Sequence, residues 1–180
     1  GTVTVIDLDT RRVLRRFQVS KHPLYALALT PDGRTLAAAG HDHLVHVVSL
    51  ISGDRLHTLE ATARGVYSLS FSPTGDALTS AEESGAVCVW NWKTGKRLAC
   101  HEHHSAAVYQ ISFSSDGRRL ISASIDGQVL VRDAVNGSVL HTHRFPGKAL
   151  CAAIAPDGRL VTTGSDNSVC YLLELPRRIR

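Results

Sequence analysis

The chain has 180 residues, 43 % of them hydrophobic and 20 % charged, enough apolar material for several packed cores and an ordinary share of surface charge. No apolar run approaches the eighteen or so residues of a membrane span and no signal peptide is visible, so no membrane association is expected. Net charge is +4 and the pI about 9.1, but the basic residues gather at the two ends, in Arg11, Arg12, Arg15, Arg16 and Lys21 and in Arg177, Arg178 and Arg180. No aromatic residues are interleaved with them to stack bases, so they read as solvated charge and nucleic acid is not an expected partner.

The first elements in the chain are two strand-like runs, 2–7 and 13–17. A turn signature, Pro31-Asp32-Gly33, then returns as Pro73-Thr74-Gly75, Ser115-Asp116-Gly117 and Pro156-Asp157-Gly158, with glycines 42, 42 and 41 residues apart. The residues after each glycine repeat too: Leu36-Ala37-Ala38-Ala39-Gly40, Leu78-Thr79-Ser80-Ala81, Leu120-Ile121-Ser122-Ala123-Ser124 and Leu160-Val161-Thr162-Thr163-Gly164 share one slot. A fixed internal period means that one structural unit is repeated.

Within a unit, four short runs of β-branched, aromatic and aliphatic residues are separated by turn residues, as at 66–71, 77–80, 87–90 and 97–100. Pro-x-Gly separates the first two runs. Lys93-Thr94-Gly95, matched by Ile51-Ser52-Gly53 and Val135-Asn136-Gly137, separates the last two. No stretch has the apolar periodicity of a helix, so an all-β chain is predicted. The divisions fall at 1–19 (the end of one unit), 20–61, 62–103, 104–144 and 145–180 (an incomplete last unit).

A period near 42 residues with four strands per unit resembles the WD-repeat (Trp-Asp) β-propeller family, over nearly the whole chain. The name-giving dipeptide falls at Ile6-Asp7, Val48-Ser49, Trp90-Asn91 and Arg132-Asp133, and is assigned to Leu172-Leu173 in the last unit. The turn aspartate before it is assigned to Asp42, Asp126 and Asp166, with Ser84 in its place in the second full unit; the family's Gly-His survives only as His103-His104. The resemblance implies that a turn aspartate holds a histidine of the preceding loop, which meets a Ser or Thr of the second strand. His104, Asp126 and Ser122 are the expected instance, read as structural, and the other units are expected to rely on packing.

Seventeen strands make a little over four blades, whereas most propellers of this family have seven, some six or eight. Seven units would need about 294 residues. With no methionine and a glycine at position 1 already inside a strand pattern, the chain is expected to be the C-terminal part or a cut fragment of a longer protein, and missing blades or another chain are expected to close the ring. In the alternative, a four-bladed ring, the 13–17 strand serves the last blade and the leading strand is redundant.

Cys88, Cys100, Cys151 and Cys170 lack a Cys-x-x-Cys and are read as reduced, with Cys88 and Cys170 in one slot, consistent with a cytoplasmic protein. Ten histidines include His41, His43 and His46 at one turn, His101, His103 and His104 in one loop, and His141 and His143 on one strand. No pair has a third ligand at fixed spacing, so no metal and no cofactor are expected. No nucleophile elbow, phosphate loop or zinc-protease motif occurs, and no catalytic residue is assigned: the chain is not read as an enzyme, though any preceding domain lies beyond this reading.

Tyr25, Tyr67 and Tyr109 recur every 42 residues, with Leu150 in the fourth slot. By the resemblance, this position on the channel-lining strand opens to the top face where peptides dock. Pro23, Gly65, Ala107 and Lys148, and His41, Glu83, Ile125 and Ser165, surround that face by the same resemblance. The expected function is a protein-interaction scaffold binding a protein or peptide through Tyr25, Tyr67 and Tyr109, with His41, Glu83 and Lys148 adding polar selectivity; packing between blades is the alternative role for the tyrosines. A propeller that regulates an upstream kinase, protease or redox domain, and a purely architectural ring-completing subunit, are the rival readings.

Overall fold

The computed structural model describes residues 1–62 and 65–176, and its regular structure is entirely antiparallel strand. Five sheets follow one another along the chain. The first pairs β1 (Thr2–Ile6) with β2 (Val13–Gln18). The second contains β3 (Leu24–Leu29), β4 (Thr35–Gly40), β5 (Leu44–Ser49) and β6 (Arg55–Glu60). The third contains β7 (Val66–Phe71), β8 (Leu78–Glu82), β9 (Val87–Asn91) and β10 (Lys96–His101). The fourth contains β11 (Val108–Phe113), β12 (Arg119–Ser124), β13 (Gln128–Asp133) and β14 (Val139–Arg144). The last contains β15 (Ala149–Ile154), β16 (Leu160–Ser165) and β17 (Cys170–Glu174). Strands lie in sequence order within each sheet, so each sheet is a meander of hairpins.

The turns follow from local chemistry. In the β3–β4, β7–β8, β11–β12 and β15–β16 hairpins the glycine of Pro-x-Gly or Ser-Asp-Gly has φ of +67° to +75°, a conformation that is cheap only without a Cβ, and its N–H bonds the carbonyl three residues back.

Sheets stack face to face, and burial shows the stacking. The second strands of the three four-stranded sheets are buried almost throughout, because each is covered on both sides; this explains their runs of small and apolar residues, such as Ala37, Ala38 and Ala39. One core joins the second and third sheets through Ala37, Val45, Val66, Leu78 and Trp90. Another joins the third and fourth through Ala81, Val87, Val108 and Leu120, and a third joins the fourth and last through Ile121, Val131, Ala152 and Val161. The β1–β2 ribbon packs Val3 against Leu36, Ala38 and Val48.

The arc is not closed. β17 alternates exposed and half-buried, leaving Leu172 65 % exposed, and Leu27 and Leu29 of β3 are over half exposed. Together with Val3, Val5, Leu36 and Leu50 these two leucines line an apolar recess of about 430 Å³ beside the two-stranded ribbon.

Three expectations change here. Strand register pairs Leu36 with Val48, Leu78 with Trp90, Leu120 with Arg132 and Val161 with Leu173, so the last dipeptide is Leu173-Glu174 and not Leu172-Leu173. Cys170 pairs with Gly164 whereas Cys88 pairs with Ser80, so the two cysteines do not share a slot. Cys88 is instead disulfide-bonded to Cys100 on the adjacent strand, and Cys151 and Cys170 are free and exposed. The reading of four reduced cysteines is overturned, and the cytoplasmic expectation loses that ground.

Candidate functional site

The first strand of each of the last four sheets carries a β-bulge at one position. Pairing of β3 with β4 skips Tyr25, of β7 with β8 skips Tyr67, of β11 with β12 skips Tyr109, and of β15 with β16 skips Leu150. A bulged residue leaves the ladder and its side chain is re-aimed. All four therefore depart from the alternation of their strands at the same level of the arc. The neighbouring first strands are tied together just beyond: Ile111 N–H donates to Ser68 Oγ at 3.2 Å and Ala152 N–H to Gln110 Oε1 at 3.2 Å.

The result is a continuous aromatic row. Tyr25 and Tyr67 have ring centroids 5.7 Å apart, and Tyr67 and Tyr109 meet edge to face at 5.2 Å. Tyr25 and Tyr109 remain 48 % and 42 % exposed. With Leu24 and Leu150 the three rings line an open concavity of about 510 Å³. Burial and the nearby Glu83 carboxylate push the Tyr67 hydroxyl up, with the two neighbouring tyrosines adding to this.

A rim surrounds the row. The N–H groups of His41, Glu83, Ile125 and Asp166 bond the carbonyls of Pro23, Gly65, Ala107 and Lys148, one equivalent bridge in each of the last four sheets. Glu83 Oε2 also accepts from Gly65 N–H at 3.2 Å, and Asp166 Oδ1 from Lys148 N–H at 2.8 Å. His41 stands edge-on to Tyr25 at 6.5 Å and stacks near His22 at 6.3 Å. The side chain of Lys148 is exposed.

Asp166 thus occupies the rim slot expected for Ser165. The turn slot itself belongs to Asn167, followed by Ser168 at φ 65°, just as Asp42 precedes His43 at φ 62° and Asp126 precedes Gly127 at φ 81°. Asn167 Oδ1 accepts from Val169 N–H as Asp126 Oδ1 does from Gln128 N–H.

Behind the rim, three sheets each hold a polar cluster in the same place, built from different residues. In the fourth sheet, His104 Nδ1–H donates to Asp126 Oδ2 at 3.0 Å and Ser122 Oγ lies 2.8 Å from His104 Nε2; Ser105 N–H also bonds the carboxylate. Burial pushes His104 below the ordinary histidine range; Asp126 opposes this and Arg132 reinforces it. Arg132 is 1 % exposed and its three guanidinium nitrogens have no hydrogen-bond partner; burial lowers it to about 10.

The third sheet lacks both histidine and aspartate, and Glu82 serves instead. Its Oε2 accepts from Thr62 N–H (2.9 Å) and Oγ–H (2.5 Å), its Oε1 from Ser80 Oγ–H (3.2 Å), and Trp90 Nε1–H donates to Ser80 at 3.0 Å. In the second sheet, Asp42 accepts from His46 Nε2–H at 2.8 Å and from the Ser20 hydroxyl. Burial pulls Asp42 up, but Ser20 and His46 pull it down further, and the net direction is down. The expectation that these two sheets rely on packing alone is therefore corrected. The signal lay in buried strands: a histidine inside Leu44–Ser49 and a glutamate ending Leu78–Glu82.

None of the basic residues at the start of the chain lines the tyrosine concavity; Arg177, Arg178 and Arg180 lie outside the described residues.

An open arc of stacked antiparallel meanders, with bulged first strands side by side, defines a β-propeller repeat protein. The family model described as WD domain, G-beta repeat matches residues 11–49, 53–91, 95–133 and 137–171, and the chain belongs to this WD40 family. Each matched repeat begins on the outer strand of one sheet and ends on the third strand of the next. WD40 repeats generally mediate protein–protein interaction or scaffolding and are typically not enzymes. No curated protein matches the chain.

Proposed function

We propose that this chain is a binding module that takes a protein or peptide across the face made by Tyr25, Tyr67 and Tyr109. The observation that carries this reading is the bulge at each of the three tyrosines, which takes an aromatic ring out of its ladder and leaves two of the three more than 40 % exposed. Aromatic rings with a polar tip, set on a rigid scaffold, are the groups that dominate interface energetics. His41, Glu83 and Lys148 supply polar selectivity at the rim, with Asp166 beside Lys148 adding an acid there. Exposed Leu27 and Leu29 favour a second, compatible reading, in which further blades or another chain cover the apolar recess beside β3.

The test selects peptides from a random display library on the folded chain and then titrates the winners against single Tyr25→Ala, Tyr67→Ala and Tyr109→Ala variants. Each variant is expected to keep its circular dichroism spectrum and to lose about 1–3 kcal/mol of affinity, roughly 5- to 150-fold. Selected peptides that bind all three folded variants as tightly as the parent would sink the placement.

A further inference from the structure

The third sheet contains a group of side chains that the interaction surface does not use. Cys88 and Cys100 face each other across β9 and β10 and are bonded, and the carboxylate of Glu82 joins them, with the three potential ligand atoms all within 4.8 Å of one another. Among the described residues this is the one group of three ligating side chains that converges so closely. Glu82 and Cys88 are fully buried, and Cys100 is half-buried, which provides an approach from solvent.

We propose that the dithiol form of this pair, together with Glu82, is a redox-gated site for a thiophilic divalent cation, zinc. Two thiolates and one carboxylate form a donor set that zinc accepts, leaving one tetrahedral position open. The carboxylate is held in place by three hydrogen bonds. Its Oε2 is saturated by the N–H and hydroxyl of Thr62, and its Oε1 accepts only the Ser80 hydroxyl, so one lone pair remains on the oxygen that the cation would take. Ser80 is in turn fixed by Trp90 Nε1–H, an outer layer of hydrogen bonds of the kind that holds metal ligands in place.

The chemistry balances with a dithiol reductant. It gives two electrons and two protons to the Cys88–Cys100 bond and closes into its own disulfide; the two thiol protons then leave to solvent as the cation binds the thiolates. While the disulfide is closed, its sulfurs are spent on each other and the site does not exist.

The experiment uses the whole 180-residue chain, oxidised and after anaerobic reduction with a water-soluble phosphine, titrated with Co²⁺ and then displaced with Zn²⁺. Circular dichroism is recorded for each species. The reduced, folded chain is expected to bind one equivalent of Co²⁺ with an intense near-ultraviolet thiolate-to-cobalt band, lost on adding Zn²⁺ and absent from the oxidised chain. Cys88→Ser and Cys100→Ser should each abolish the band, and Glu82→Gln should weaken binding by about tenfold or more. The proposal is overturned by a reduced chain that is folded but shows no band, or by one that unfolds on losing the disulfide. A disulfide that native reduction does not open overturns it as well. So does a band that survives in Cys88→Ser, which would arise from Cys151, Cys170 or the histidines, or an affinity unchanged in Glu82→Gln.

Discussion

Arg132→Trp should stabilise this protein. Arg132 occupies the slot that Trp90 holds one sheet earlier, since Leu120 pairs with Arg132 as Leu78 pairs with Trp90. There the indole N–H donates to Ser80; here a guanidinium is buried with all three nitrogens unpartnered. Its depression from 12.5 to about 10 corresponds to about 3 kcal/mol of uncompensated desolvation. An indole removes that cost and adds one hydrogen bond to Ser122, worth about 1 kcal/mol, while its extra bulk gives back about 1–3 kcal/mol in strain. The net expectation is a gain of about 1–3 kcal/mol, or roughly 3–10 °C in Tm for a chain of this size. Urea denaturation followed by circular dichroism measures it, and Arg132→Met separates removal of the charge from the new hydrogen bond. NMR titration supplies a second readout, because Arg132 holds His104 down and its removal should raise that pKa. If both variants are less stable than the parent by about 1 kcal/mol or more, the buried guanidinium is favourable and the reasoning fails.

Stability should decline in acid in two stages. His104 is held below the ordinary histidine value by burial, so its neutral form favours the fold: the contribution is complete above about pH 6.5 and is lost as pH falls from there to its lower folded value. Asp42 and Asp126 are held low, so their contribution is complete above about pH 3.8 and fades as pH falls through their still lower folded values. Urea midpoints measured between pH 8 and 5 should fall, and His104→Gln should flatten that decline; a level profile in the parent would contradict it. Trp90→Phe deletes the bond to Ser80 and should cost about 1 kcal/mol in the same assay, with no change counting against the role assigned to the Glu82 cluster.

The repeat was legible because turns cannot be disguised. A glycine at positive φ every 42 residues marks the hairpins whatever lies between them. What misled was residue type in the last unit. Matching Leu160 to Leu120 and Asp166 to Asp126 steps 40 residues, whereas the turn glycines stand 41 apart and strand register puts Val161, Leu173 and Asn167 in the corresponding slots. The disulfide was hidden by a bulge: Asn91 pairs with Lys96, and a regular ladder would set Cys88 opposite Ala99. The register shift between Arg97 and Ala99 brings Cys100 there instead. The polar clusters of the second and third sheets escaped because burial selects for a satisfied group in a place, not for a residue type at a position. His46 and Glu82 reach the same interior from slots that hold Leu130 and Ser124 in the fourth sheet. The tyrosines were visible by their spacing, but the bulge that turns them outward is a property of strand pairing and has no signature of its own in the residues.

The offset between matched repeat and sheet makes the arc behave like overlapping tiles. A repeat such as 53–91 lends its leading strand, β6, to one sheet and builds most of the next. Loosening that single stretch of chain would strip an edge from one layer and the interior from its neighbour, so damage does not stop at a layer's border. Such an arrangement links the fates of adjacent layers through the covalent chain as well as through packed faces. A face assembled from one ring per layer, as the tyrosine row is, then keeps its spacing for as long as the tiles stay overlapped.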